Sequence, residues 1–397
     1  MPVKRLVLTL QLATAVLSAS YGVMFTMLDD YRDAYGIAES GLGLVVAVGF
    51  FASFISQILI APYADRGHAK RLLVIGFALT VLGSLAMAFG TSLLSLLIGR
   101  IVMGIGAGMA LPALRRIVIV ADPENLGTNM GRLLSVDIAG FAIGPVISAL
   151  TVGTLGIEAP FFIIAAAVIL IAFELSRVAI PETAQQLQPT ERFAFDLLKI
   201  PAVTGAVLIG VALFLMIGTF DSLWAVMMDD LEAPTWMANA GVSLFALPMI
   251  VLGPMGGRLA QQVGPYKVGA VGMFFGAVFM SLYGLLPSPY LILGVFLLHT
   301  TNDGLSVTSA GIAVGMAAPA ERQAGAQGLL GGMQTLTGGI SASLAGWGYN
   351  SFGRGPTFIV TAVVMVVLVG LGLILAGPRR WSTPEPHSIT EQMSSAH

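Results

Sequence analysis

The sequence predicts an all-α integral membrane protein: twelve transmembrane helices in two pseudo-repeated six-helix bundles. Three observations carry that expectation. Of 397 residues, 56% are hydrophobic and only 10% charged, with a mean hydropathy of +0.89. A soluble domain carries about 25% charged residues, so this surface is built for lipid. Apolar runs of about 20 residues, the length that crosses a hydrocarbon core as helix, recur between Gly, Pro and charge. Finally, landmarks of the first half return at one offset: Ala61 as Gly257, Pro123 as Pro319 and Pro160 as Pro356, each 196 positions later.

Taken in order, the first bundle (1–178) holds spans near 6–28, 40–61, 72–90, 93–118, 131–153 and 159–178. The second (201–376) holds spans near 201–227, 237–257, 267–286, 289–317, 324–348 and 356–376. Lys4 and Arg5 ahead of the first run also fit a secretory signal, with Ser18-Ala19-Ser20 as its cleavage point. The apolar stretch continues to Leu28, however, beyond the ~7–15 residues of a signal core, and a matching segment opens the second half. It is read as a span. Between the bundles, 179–200 is a polar cytoplasmic linker, either a plain tether or, through RFAFDLLK, a short helix on the membrane surface. Residues 377–397 form a polar tail expected to be disordered and cytoplasmic.

Charge sets the orientation. With the N-terminus cytoplasmic, 16 of the 19 Lys and Arg fall at cytoplasmic ends or loops; Arg32 and Arg354 lie outside and Arg100 lies within a span. The loops with Asp29, Asp30, Asp33 and Glu39 and with Asp229, Asp230 and Glu232 then face outward; Asp29 and Asp30 are either plain external loop or the mouth of a cation path. This charge bias is the positive-inside pattern, and it places a multi-pass protein in the cell (inner) membrane with both termini cytoplasmic.

Several classes lack support. Zero Cys leaves no disulfide framework or thiolate metal site, and the four His are scattered. A net charge of −2 gives no nucleic-acid footprint. The chain contains no His-x-x-x-His pair, Gly-Lys-Thr loop or Gly-x-Ser-x-Gly elbow. The expectation is a protein that is not an enzyme and uses no cofactor or metal.

Three stretches stand out. APYADRGHAKR, after span two, crowds Asp65, Arg66, Lys70 and Arg71 around a turn at Gly67. The cations anchor the loop inside; an acid among them forms an ion pair or caps a helix N-terminus. Made in one conformation only, such a contact is a latch. Arg100 either snorkels to the headgroups, sits in a static ion pair, or lowers the pKa of a nearby carboxylic acid. It opens a run in which Gly104 and Gly108 share a face, so a neighbouring helix or a substrate can approach the backbone. In span five, Gly140, Gly144 and Pro145 combine close packing with a missing backbone donor.

These stretches resemble the signatures of the major facilitator superfamily. The loop keeps its charges, with Ala61 in place of the first Gly and the second Gly shifted to Gly67. In the second half Gly257 and Gly264 keep the glycine frame while Gln261 replaces the acid. Arg100-x-x-x-Gly104-x-Gly106 resembles the span-four signature. Gly140-x-x-x-Gly144-Pro145 resembles the antiporter signature of drug:proton exporters, although Ser148 and Ala149 stand where it ends in Gly. The resemblance implies the major facilitator fold and a monomer whose two bundles rock around a midplane cavity. It also implies the proton gradient as energy source and an influence of Arg100 on proton transfer.

Three carboxylates lie inside spans: Asp137, Asp221 and Asp303. An ionised Asp in a bilayer costs at least ~2.5 kcal/mol, so each faces a bundle interior or cavity, as a proton carrier or as a static hydrogen-bond partner. Asp303 is midway along span ten, with His299 one turn earlier and Asn302 beside it, an arrangement able to share a proton. Met24, Met27, Met216, Met227, Met228 and Trp224 cluster toward the outer ends of spans one and seven. They either line an adaptable pocket or fill a lipid-facing surface. Met24, Trp224, Asn302 and Gln334 are the cavity candidates. The expected function is proton-coupled export of small amphipathic or cationic molecules. Its rivals are transport of a hydrophilic metabolite such as a sugar or organic acid, and a transport-dead membrane sensor.

Overall fold

The computed structural model describes residues 3–382, and among them the regular structure is helical, with no strand. The first half contributes α1 (Val3–Thr26), α2 (Leu28–Tyr35), α3 (Glu39–Leu59), α4 (Ala69–Phe89), α5 (Leu93–Ala121), α6 (Leu126–Leu155) and α7 (Ala159–Arg177). The second contributes α8 (Pro201–Asp230), α9 (Thr235–Val263), α10 (Pro265–Leu285), α11 (Pro289–Ser306), α12 (Ser309–Ala317), α13 (Gln323–Phe352), α14 (Arg354–Ala376) and α15 (Arg379–Ser382).

Ten of the described helices are long and apolar enough to cross a membrane. The other two expected spans depart for visible reasons. The tenth is interrupted at 307–308, between α11 and α12, just after Ser306 donates its hydroxyl to the Asn302 carbonyl at 2.9 Å; such back-bonding competes with the helical ladder. The eleventh, α13, is 30 residues long but rich in Gly and Gln. Two further segments correct the sequence reading. The acids Asp29 and Asp30 begin a helix, α2, where they stand at its positive end, rather than a loop. Residues 379–382 form a helical turn tied back by Trp381 Nε1 to the Leu373 carbonyl (2.9 Å), where a disordered tail is expected; 383–397 lie outside the described residues.

By contacts the chain forms two compact units. The first comprises the chain up to Pro123, Val136–Ala194 and Ala320–Gly332; the second comprises Glu124–Ser135, Phe195–Pro319 and the chain from Met333. The first turns of α6 and of α13 therefore each belong to the unit opposite the rest of their helix.

Within the first unit α5 is central, packed by α3 and α4, while α7 packs on α1 and α4. Glycine makes those approaches possible. A Cβ at Gly104 would strike the Gly49 carbonyl of α3, and one at Gly140 or Gly144 would strike the α1 backbone at Ala15 or Gly22. Within the second unit α14 packs on α8 and α10, and α11 on α9 and α10.

Candidate functional site

At the turn between α3 and α4, Asp65 is 1% exposed and bound from two sides. Its two carboxylate oxygens accept the backbone N–H groups of Ala324 (2.9 Å) and Gly325 (2.7 Å) in the first turn of α13. Its Oδ1 also lies 3.2 Å from Nε of Arg116, itself 2% exposed. Both roles expected for this acid, ion pair and helix cap, are thus present together. In the second unit Gln261, 196 positions after Asp65, repeats the cap without charge. Its Oε1 accepts the Gly127 N–H at 2.7 Å, and its Nε2 donates to the Glu124 carbonyl at 2.9 Å.

The linker is not a slack tether. Arg116 donates to the Pro181 carbonyl (2.9 Å) and to Thr183 Oγ1 (2.6 Å). Arg66 donates to the Thr190 carbonyl (2.7 Å), and Lys70 Nζ donates to the Ser176 and Val178 carbonyls. The Glu182 carboxylate accepts the first two N–H groups of α4, from Ala69 (3.0 Å) and Lys70 (2.8 Å). Arg322 binds the Phe193 carbonyl at 2.9 Å. Arg71 lines a cleft beside this network with His68 and Glu182. The RFAFDLLK segment does contain a helix, the 3-10 turn Phe195–Lys199. Neither Arg116 nor Glu182 stands out in the sequence, because their partners lie on distant segments, which no local spacing shows.

Arg100 is 0% exposed, and none of its three guanidinium nitrogens makes a hydrogen bond. Its charge lies over the ring of Tyr21, 4.3 Å from the centroid, and 5.9 Å from that of Phe50. Gly49 makes room, since a Cβ there would meet the guanidinium. Among the described residues no carboxylate forms an ion pair with Arg100 and its charge is held by aromatic faces, which sets aside both the snorkelling and the static ion-pair readings. The second inward cation is one that the sequence reading counted with the span ends: Arg115, half-buried on α5, whose charge acts on Asp137. Asp137 accepts a hydrogen bond from Ser18 of α1, which the Gly140–Gly144 seam brings alongside.

In the second unit three helices converge. His299 Nε2 lies 3.3 Å from Asp303 Oδ2, and its Nδ1 lies 3.0 Å from the Tyr283 hydroxyl of α10. Tyr283 and Asp303 are 0% exposed and His299 2%. Asn302 donates to Asp303 Oδ1 (3.3 Å) and to the Gly272 carbonyl (3.1 Å). Rings surround the imidazole: Phe220 edge-on at 5.6 Å and Phe279 at 5.4 Å, with Trp224 and Phe296 behind. Asp221, exposed on α8, acts electrostatically on Asp303. Met24, Met27, Met216, Met227, Met228 and Trp224 are all at most 5% exposed. They are interior side chains, which overturns the lipid-facing reading and leaves that of an adaptable pocket lining. Gln334 is 9% exposed on α13.

A duplicated, all-helical membrane chain with a buried acid–imidazole pair belongs to the class of polytopic transporters. The profile of the Major Facilitator Superfamily matches residues 10–223 and 206–393, and the chain belongs to that superfamily. It is 26% identical over 218 residues to the quinolone resistance protein NorA of Staphylococcus aureus, which covers 53% of this chain and 55% of that protein. It is 27% identical over 201 residues to a triacylglyceride transporter of Mycobacteroides abscessus, covering 49% of this chain and 37% of that one. The chain thus spans about half the length, or less, of these relatives. The same fold is found in the proton:xylose symporter XylE, with a TM-score of 0.78, 15% identity and 98% of both chains covered.

Proposed function

We propose that this transporter exports small amphipathic or cationic molecules in exchange for protons, by alternating access, as a monomer in the cell (inner) membrane with both termini cytoplasmic. The observation that carries the reading is the buried Asp303–His299–Tyr283 chain inside a shell of aromatic rings. Protonation of Asp303, with His299 able to hand the proton on, removes a charge from an interior where charge is costly. That change biases which conformation is stable. Ionised, the same carboxylate amid rings attracts an organic cation, so proton and cargo compete for one group, which is the logic of exchange. Asp221 adds a second acid near it, and the similarity to a quinolone resistance protein agrees with an amphipathic cargo. Asp65, held by the α13 N-terminus and Arg116, serves as the latch of one state.

The test is purified protein in liposomes with an internal pH dye and an imposed proton gradient. Lipophilic cations should trigger proton movement, and Asp303→Asn should reduce it about a hundredfold, in the range of a lost positioned acid. Proton movement with sugars or organic acids alone, or full coupling in Asp303→Asn, would overturn the proposal.

A further inference from the structure

At the end of the first unit remote from Asp65, a cavity of about 660 Å³ opens between the last turn of α4, the α6–α7 turn and α2. Tyr35, Phe89, Thr91, Leu155, Glu158 and Phe162 are among its lining residues. Its chemistry is unlike that of the buried pair in the second unit. Glu158 stands at the N-cap position of α7, yet its carboxylate does not cap the helix. Among the described residues that carboxylate makes no hydrogen bond or ion pair, and no Lys or Arg lines the cavity.

The walls around it are aromatic. Phe89 and Phe162 meet edge to face at 5.4 Å, and Tyr35 stacks on Tyr31 at 5.9 Å, which in turn stacks on Phe161 at 6.2 Å. Burial and then the charge of Glu158 push the Tyr35 phenol above its ordinary value, so the ring stays neutral and the carboxylate is near it. Leu155 (68% exposed), Phe162 (41%) and Ile163 (40%) continue the wall outward along the unit's lateral apolar surface.

We infer that this cavity binds the ammonium group of an amphiphile, with that group on Glu158 among the rings of Tyr35, Phe89 and Phe162 and the alkyl chain along Leu155 and Ile163. A carboxylate meets the charge, aromatic faces favour a cation beside them, and exposed apolar side chains take the tail. An anionic head would meet Glu158 with no cation to offset it, and a neutral one would leave the carboxylate unanswered. The ammonium group has two sources: a soluble cationic amphiphile, or the ethanolamine end of a zwitterionic membrane lipid, whose phosphate would have to stay clear of Glu158 on the solvent side of the cavity.

The experiment uses the full chain in nanodiscs of phosphatidylglycerol, which carries no ammonium group. The probe is hexadecyltrimethylammonium with a diazirine in its tail; the neutral control is the hexadecanol analogue. Crosslinks are mapped by mass spectrometry. The cation should label the segment 155–163 above the neutral control. Glu158→Gln should lower that labelling about five-fold, the scale of a part-exposed charge pair. Phe89→Ala should lower it about three-fold, as for one lost cation–π contact, and Tyr35→Phe should preserve it. Equal labelling by the neutral analogue, or no change in Glu158→Gln, would overturn the assignment. Added phosphatidylethanolamine separates the sources: competition identifies the lipid head group, and undiminished labelling identifies a soluble amphiphile. Because labelling needs no gradient and no transport, its failure is independent of the fate of Asp303.

Discussion

Asp303 shows how the surroundings of a single carboxylate define its chemistry. Its pairing with His299 is legible in the sequence, because positions four apart share a helix face. Tyr283 is not: it arrives from α10, and only packing brings its hydroxyl to the imidazole. Removing that hydroxyl in Tyr283→Phe should shift the pH profile of transport and slow it less than tenfold, the scale of one hydrogen bond. An unchanged profile would detach Tyr283 from the relay. Arg100 teaches the converse. Its burial is legible, but its partners are rings because Gly49 lets the flat guanidinium lie beside α3. Outside the spans, burial holds the Tyr31 phenol well above its ordinary value. Above about pH 10 the unfolded chain loses a proton that the folded chain keeps, so stability falls as pH rises. The melting temperature should therefore drop more steeply between about pH 9 and 11 in the wild type than in Tyr31→Phe; parallel curves would contradict that burial.

Among the elements, the linker is the segment least legible in advance. Its composition is that of a tether, and its order comes from contacts that composition does not encode: Glu182 on the α4 N-terminus, and Arg116 on two linker residues. Glu182→Gln keeps the shape and loses the charge at a helix N-terminus, at a cost of about 1 kcal/mol. The melting temperature should fall about 2 °C, and no shift would return the linker to tether status. The helices themselves are the most legible level, since apolar length alone reveals ten of them. The two that hydropathy understates, α11–α12 and α13, carry the polar groups that give them their roles. At the α1–α6 seam, Gly140→Val would drive a side chain into the Ala15 carbonyl and should destabilise by more than about 2 kcal/mol, read as loss of the monodisperse peak in size-exclusion chromatography.

At the scale of the molecule, the 196-residue repeat is visible both in the sequence and in the paired caps of Asp65 and Gln261. What the repeat did not show is that each unit takes in the first turns of a helix otherwise assigned to the other, because hydropathy counts spans and does not record where a long helix makes its contacts. Orientation is a separate matter, resting on the charge bias. The chain has no Cys, so single replacements report cleanly. In intact cells a membrane-impermeant maleimide should label Ala34→Cys and should reach Thr190→Cys only after lysis; the reverse pattern would invert the topology. The glycine seams also constrain inheritance. Every one-base change in a glycine codon that yields another amino acid adds at least a β-carbon, and at Gly22, Gly140 and Gly144 that atom meets the backbone of the facing helix. These positions have no neighbouring codon to drift through, so α1 and α6 are bound to change together or not at all.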